Sequence, residues 1–268
     1  MQIASTLGFI GTGGITSALV EGLLSAEDFK GNIILSVHKN REKPDRLKAM
    51  APDRVSLSYS NQEIADSADV VFVAVLPQDH KDVVTSLTFT PDKHIVQISG
   101  GIQLDETRSF YDPATLLSRA VPLPFTARRM GPVLLYGNDL LVKNLFAMIG
   151  TVVEVKHEAE LCVLGPVTGM MVPYYGLLAE YVKWGMEKGL DFRTALDYCC
   201  CMNEALSSFM RTDCGSDIEK FLNDNTTPGG VNELGLDLMR SQNAYNYWKD
   251  TLDKLYVRYN SLDKAPNS

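Results

Sequence analysis

A short apolar run, Leu7–Ile10, leads straight into Gly11-Thr12-Gly13-Gly14-Ile15-Thr16, and then into a stretch with Leu19, Leu23 and Leu24 on one face. A strand, a glycine turn and a helix in immediate succession leave the chain few ways to fold. Gly11 permits the tight strand-to-helix turn, and Gly13 leaves bare backbone for a close approach. Free N–H groups at the helix start then attract an anion. Gly11 and Gly13 fill the first two positions of G-x-G-x-x-G, whereas the third holds Thr16, where glycine or alanine is usual. Gly8, Gly11, Thr12, Gly13, Gly14 and Ile15 are therefore the candidates for holding the pyrophosphate of a dinucleotide.

The choice of dinucleotide is read about 20 residues on, at the end of the second strand, where an acidic residue binds a ribose 2′-hydroxyl. Here the sequence is Ser36-Val37-His38-Lys39-Asn40-Arg41, and the first acid is Glu42. From Val37 to Lys48 there are five Lys/Arg against two acids, a local +3 in a chain of net charge −8. Ser36, His38, Lys39, Asn40 and Arg41 would suit a 2′-phosphate, which favours NADP over NAD.

The first half of the chain alternates short apolar runs with helix-length segments. The strand expectations are Leu7–Ile10, Ile33–Val37, Val55–Leu57, Val70–Leu76, Ile95–Ile98, Ala120–Leu123 and Val152–Val155. Continuous apolar runs such as VVFVAVL suit a parallel sheet buried on both faces. Beyond His157 only helical periodicity is found, with Pro173 expected to kink or interrupt Leu161–Gly189 and Asp191 expected to cap the next helix. The expected fold is α/β: an N-terminal Rossmann-type doubly wound, mostly parallel sheet over residues 1–155, then an all-α domain over 156–268.

The acidic balance argues against duplex nucleic acid or an anionic membrane as partner. No basic and apolar leader precedes the first strand, and no apolar run is read as approaching the ~18 residues of a membrane span, so the cytoplasm is the expected location. The five cysteines, Cys162, Cys199, Cys200, Cys201 and Cys214, include no C-x-x-C pair, so reduced thiols and no metal site are expected. The apolar stretch Val163–Met186 exceeds what one small helical domain can bury, which predicts a homodimer through the second domain.

Four segments, in order, resemble the pyrroline-5-carboxylate reductase family. They are GFIGTGGITSALVEGLL, Val73-Ala74-Val75-Leu76-Pro77-Gln78, Ile98-Ser99-Gly100-Gly101-Ile102 and Asn225-Thr226-Thr227-Pro228-Gly229-Gly230. Two segments depart from the family. Gly169-Met170-Met171-Val172-Pro173-Tyr174-Tyr175 stands where S-G-S-G-P-A-Y is usual, and Val121-Pro122-Leu123-Pro124-Phe125 lacks the usual asparagine. Methionines in place of small polar residues make that pocket more apolar.

The resemblance implies an NADPH-dependent oxidoreductase that delivers hydride to the carbon of a C=N bond in a small cyclic imine, pyrroline-5-carboxylate by default. It implies that Val75, Leu76, Pro77, Gly100 and Gly101 flank the nicotinamide. Thr226, Thr227, Pro228, Gly229 and Gly230 would hold an anionic substrate group beside Pro173. Glu160 aligns with a family acidic residue, and Tyr174 and Tyr175 would donate in place of the missing serines. Two other functions fit the same first domain. One is a C–O oxidoreductase like the β-hydroxyacid dehydrogenases, with Lys183 or Lys188 in the interdomain helix. The other is a non-catalytic NADP(H)-binding sensor or partner protein.

Overall fold

The computed structural model describes residues 3–38, 40–98 and 100–262. It divides into two compact units, one formed by residues 3–162 with residues 260–262, the other by Val163–Tyr259.

The first unit is built on one eight-stranded sheet in the order β3-β2-β1-β4-β5-β6-β7-β8. The strands are β1 (Leu7–Ile10), β2 (Ile33–Ser36), β3 (Val55–Ser58), β4 (Val70–Val73), β5 (His94–Gln97), β6 (Leu116–Val121), β7 (Pro132–Tyr136) and β8 (Thr151–Val155). Neighbours pair in parallel except β6 with β7. The strand order runs outward in both directions from β1 and β4, the doubly wound arrangement that the strand–helix alternation predicts.

Helices α1 (Gly14–Ser25) and α6 (Leu140–Ala147) supply Leu19, Leu23, Val142 and Phe146 to one face of the sheet, against Phe9, Leu35, Phe72 and Val96. Phe9 stacks on Phe72 at 4.5 Å, and Phe146 meets Phe72 edge-on at 6.1 Å. On the other face, α3 (Asn61–Ser67) and α4 (Pro77–Thr85) place Ile64, Ala65 and Val84 against Ile10, Val71, Val73 and Ile95. Strands buried on both faces must be apolar throughout, which is why β1 and β4 are fully buried.

Three strands depart from expectation by more than a residue. β4 stops at Val73, short of Leu76. β6 begins earlier than Ala120, at Leu116, and contains Arg119. β7 was not anticipated: Pro132 opens it and Gly137 follows it, so PVLLY merges by pattern with the apolar helix α6 beyond.

The second unit is helical. It contains most of α7 (Ala159–Thr168) and α12 (Ala244–Leu262), with α8 (Met171–Glu187), α9 (Phe192–Asp213), α10 (Ile218–Asp224) and α11 (Val231–Ser241) between them. The break expected at Pro173 falls earlier. Gly169 and Met170 turn the chain, and Pro173 sits in the first turn of α8, where its missing N–H removes no helical bond. Gly189, at φ +98°, ends this segment, and the Asp191 carboxylate accepts Arg193 N–H and Thr194 N–H at 3.0 Å each.

The stretch Ala159–Glu187 is, against expectation, long and apolar enough by composition to cross a membrane, with mean hydropathy 1.5. It is two helices joined by the Gly169–Met170 turn, and only 22% of its most apolar window is buried within the chain. The only buried cluster described within this unit comprises Val182, Ala195 and Cys199, with Leu178 and Leu196 against it. Large apolar side chains including Val172, Trp184, Tyr198, Leu206, Leu234 and Val257 are exposed. Cys162 and Cys199 are buried, whereas Cys200 and Cys201 are exposed.

Candidate functional site

The carboxyl ends of β1, β2, β4 and β5 share one edge of the first unit. Ala74 N–H donates to Ile10 O and Ile98 N–H to Val73 O, both at 2.8 Å, so the turns leaving β1, β4 and β5 lie side by side. The strand order reverses between β1 and β4, which is where open α/β sheets form their ligand crevice.

Gly11 sits at φ +98°, and a Cβ there would lie 2.4 Å from Ala74 O. Both facts require glycine. Its N–H donates to Ser36 Oγ at 2.8 Å, and Thr12 Oγ1 donates to Ser36 O at 2.8 Å. The turn is thereby tied to the end of β2. Thr16, which breaks the glycine pattern, donates its hydroxyl to Gly11 O at 2.7 Å and locks the turn from the helix side. Gly13 caps α1 with no side-chain hydrogen bond, no acid occupies the first turn, and a Cβ on Gly13 or Gly14 would meet nothing within 4 Å. The result is an open cradle of backbone N–H groups at the positive end of a helix. Ile15 turns its side chain to the core and offers only backbone.

Two cofactor candidates take other roles. Gly8 lies inside β1, where a Cβ would approach Ile64 Cγ2 to 2.5 Å; its missing side chain serves the packing of α3. Ser36 is buried, and its hydroxyl holds the glycine turn instead of facing outward. His38, Asn40 and Arg41 are exposed beyond β2. Asn40 Oδ1 accepts Glu42 N–H at 2.8 Å and fixes the start of α2 (Glu42–Met50). Arg41 pairs with Asp45 at 3.1 Å and lies 5.9 Å from the ring of exposed Tyr59, an aromatic surface at the end of β3 that sequence reasoning did not single out. Lys39 lies outside the described residues.

After β4, Val75 is half-buried, Leu76 is 60% exposed, and Pro77 opens α4. After β5, Gly100 has open space where a Cβ would stand, and Gly101 takes φ +71°. A buried polar group lies behind this loop. Gln97 Nε2 donates to Ile102 O at 2.7 Å, and Tyr111 OH donates to Gln97 Oε1 at 3.0 Å and lies 3.2 Å from His80 Nε2. Burial lowers the His80 pKa to about 4 and pushes the Tyr111 phenol up.

Glu160 was the acid expected to matter. It lies in the first turn of α7, where its carboxylate accepts Lys156 N–H at 2.9 Å. Its neighbour Glu158 is buried, and pairs with Arg119 at 2.8 Å. The one signal for it in the sequence was an arginine within an apolar strand, since a buried guanidinium demands a carboxylate.

In the second unit, Tyr174 OH donates to Asn203 Oδ1 at 2.9 Å, and its pKa is raised, first by burial and then by Cys199, Tyr181 and Cys200. Tyr175 and Pro173 are exposed on α8. Thr226 donates its hydroxyl to Leu222 O at 2.7 Å, which occupies its proton within the chain. Pro228 precedes the helix start instead of lying inside it: Gly230 caps α11, and Gly229, at φ +74°, donates its N–H to Glu233 Oε2 at 2.7 Å. Thr227 O accepts Gly230 N–H at 2.9 Å, closing the turn. No described hydrogen bond joins Tyr174 or Tyr175 to the 226–230 turn. Lys183 is exposed and held above its ordinary pKa by its bond to Glu180, the opposite of what a lysine base at neutral pH requires.

Residues 6–101 match the family described as NADP oxidoreductase, coenzyme F420-dependent. A pyrroline-5-carboxylate reductase from Staphylococcus epidermidis is 25% identical over 259 residues, covering 91% of this chain and 93% of that one. Among solved structures, a pyrroline-5-carboxylate reductase from Coxiella burnetii superposes with a TM-score of 0.81 at 22% identity, over 97% of this chain and 99% of that one. A pyrroline carboxylate reductase from Plasmodium falciparum with NADP bound gives 0.79 at 16% identity, over 98% of this chain and all of the other (100%). The fold is that of the pyrroline-5-carboxylate reductases, and the chain is similar to them in sequence along nearly its whole length.

Proposed function

We propose that the chain is an NADPH-dependent reductase of the C=N bond of a small cyclic imine, with pyrroline-5-carboxylate as the default substrate. The observation that carries this reading is the glycine cradle at the β1/β4 crevice, in a chain similar to pyrroline-5-carboxylate reductases over 91% of its length. The cradle fits a dinucleotide, because Gly13 and Gly14 leave open space over uncapped N–H groups. When bound, the coenzyme supplies the hydride. Gly11, Thr12, Gly13, Gly14 and Ile15 hold the pyrophosphate, while His38, Asn40 and Arg41 form the end that takes a 2′-phosphate. Val75, Leu76, Pro77, Gly100 and Gly101 wall the nicotinamide.

The second domain, residues 156–268, supplies the substrate side and the dimer contact. The Thr227 hydroxyl and the N–H groups of the first turn of α11 bind the substrate carboxylate, with Pro228, Gly229 and Gly230 shaping that turn. Tyr175 is the hydroxyl donor next to Pro173, and Tyr174, bonded to Asn203, is the second. The location proposed with this function is the cytoplasm. Measured by loss of 340 nm absorbance with pyrroline-5-carboxylate, turnover with NADPH is expected to exceed that with NADH at least ~10-fold. Binding of NADPH without turnover on any cyclic imine would overturn the substrate class.

The helical unit buries too little of its apolar surface to stand alone in water, and a second copy of the chain is the fitting cover. Light scattering at micromolar concentration is expected to give at least twice the monomer mass of 29.6 kDa. A monomer would remove the proposal.

A further inference from the structure

Two acids stand close together at the entry to α7, and one of them is wholly buried. Glu158 is 3% exposed and accepts three donors. Leu104 N–H reaches its Oε1 at 2.5 Å, Asp105 N–H its Oε2 at 2.8 Å, and Arg119 Nη1 its Oε1 at 2.8 Å. Arg119, in β6, is 1% exposed. Leu104 and Asp105 open α5 (Leu104–Thr107), so their amides end the loop that leaves β5 and carries Gly100–Gly101. From the strand side, Gln97 Nε2 holds Ile102 O at 2.7 Å. Buried side chains thus pin the loop at Ile102, Leu104 and Asp105.

Stability alone explains this arrangement poorly. Taking a carboxylate and a guanidinium out of water is costly, and well-packed apolar residues in their place often give an equally stable protein. Arg119 Nη2 is also buried without a partner among the described residues, which adds to that cost. What the pair does supply is a fixed position for two backbone amides, and through them for the glycine turn.

We propose that Glu158, held in place by Arg119, is a positioning residue that fixes the Gly100–Gly101 turn against the nicotinamide of bound NADPH. This rests on the coenzyme reading above. Glu158 touches no reacting atom. Hydride transfer is sensitive to donor–acceptor geometry, and a displacement of about 1 Å costs on the order of 100-fold. The pyrophosphate and adenine end are held separately, by the glycine turn of β1 and the end of β2. Loosening the β5 loop therefore misplaces the hydride donor without releasing the coenzyme.

The test is Glu158→Gln in the full-length protein. The variant keeps the shape but offers one acceptor oxygen where two are used. With pyrroline-5-carboxylate, kcat is expected to fall about 10- to 100-fold, while the Kd for NADPH stays within about threefold. The primary isotope effect with 4-deuterated NADPH is expected to rise as hydride transfer becomes limiting. An unchanged kcat and isotope effect would overturn the proposal, and so would a parallel loss of binding and turnover, which marks general disruption. If Glu158→Gln melts below the assay temperature, Glu158→Asp is read by the same criteria; it keeps the charge beside Arg119 but falls short of both amides. Should the wild type bind NADPH yet reduce no imine, the reductase reading fails. The positioning role is then decided by the emission of the bound nicotinamide, which Glu158→Gln is expected to alter and which, unaltered, overturns it. A wild type that does not bind NADPH overturns both.

Discussion

Gly11→Ala is expected to abolish measurable NADPH binding and to lower the melting temperature of the protein. The position has φ +98°, and a Cβ would stand 2.4 Å from Ala74 O and 2.7 Å from Ala74 C. The left-handed conformation alone costs an L-residue about 1–2 kcal/mol, and forcing apart packed backbone adds about 1–3 kcal/mol. The strain falls where the ends of β1 and β4 meet, since Ala74 N–H is bonded to Ile10 O at 2.8 Å. It also pulls on the Gly11 N–H bond to Ser36 at 2.8 Å, which sets the turn against β2. For a unit of this size the combined cost corresponds to a fall of roughly 5–15 °C, and NADPH affinity is expected to drop by at least ~100-fold.

Gly13→Ala separates the two effects. Gly13 sits at φ −90°, which alanine adopts freely, and its Cβ would point into open space. That variant is expected to melt within about 2 °C of the wild type, yet to lose NADPH because the methyl group occupies the pyrophosphate's place. Thermal melts and a fluorescence titration of each variant decide the matter. A Gly11→Ala protein that melts and binds like the wild type would show that the turn tolerates a side chain, and the cradle reading would fall.

The first domain was legible because its chemistry is local. The strand–glycine–helix succession at Leu7–Thr16 admits few backbones, and the continuous apolar runs of β1 and β4 identify strands covered on both faces. What escaped was set by tertiary contact. Gly8 looks like part of the glycine motif, but the neighbour that requires it is Ile64 on α3. Ser36 stands where a coenzyme contact is read, yet it faces Gly11 across the turn. Thr16 reads as a defect in the motif until its hydroxyl is seen on Gly11 O. Glu158 and Glu160 are alike by local pattern, and only the burial of Arg119 distinguishes them. In the second unit the apolar surplus was legible, while the closed turn at Gly229–Gly230 was not, because it depends on Glu233 one turn into α11.

Acid is expected to destabilise the first unit through His80. The imidazole is 1% exposed on α4, against Tyr111, and burial holds its pKa at about 4 against an ordinary value of 6.5. The folded protein therefore binds this proton more weakly than the unfolded chain does. The stability contributed by keeping His80 neutral is fully present above about pH 6.5 and is lost progressively as the pH falls to about 4. A separation of that size corresponds to on the order of 3 kcal/mol. Carboxylates that titrate in the same range add to the acid loss, so the decisive quantity is the difference between two proteins. In Glu- and Asp-intact His80→Gln, the amide keeps a hydrogen-bonding group near Tyr111 but takes up no proton. Denaturant unfolding of both proteins at pH 7, 6, 5 and 4 is expected to show the variant less stable than the wild type at pH 7 and the gap closing by on the order of 3 kcal/mol at pH 4. Parallel stability curves would mean that His80 protonates without opening its pocket. The polar group behind the Gly100–Gly101 loop would then be looser than the distances from Tyr111 OH to Gln97 Oε1, 3.0 Å, and to His80 Nε2, 3.2 Å, require.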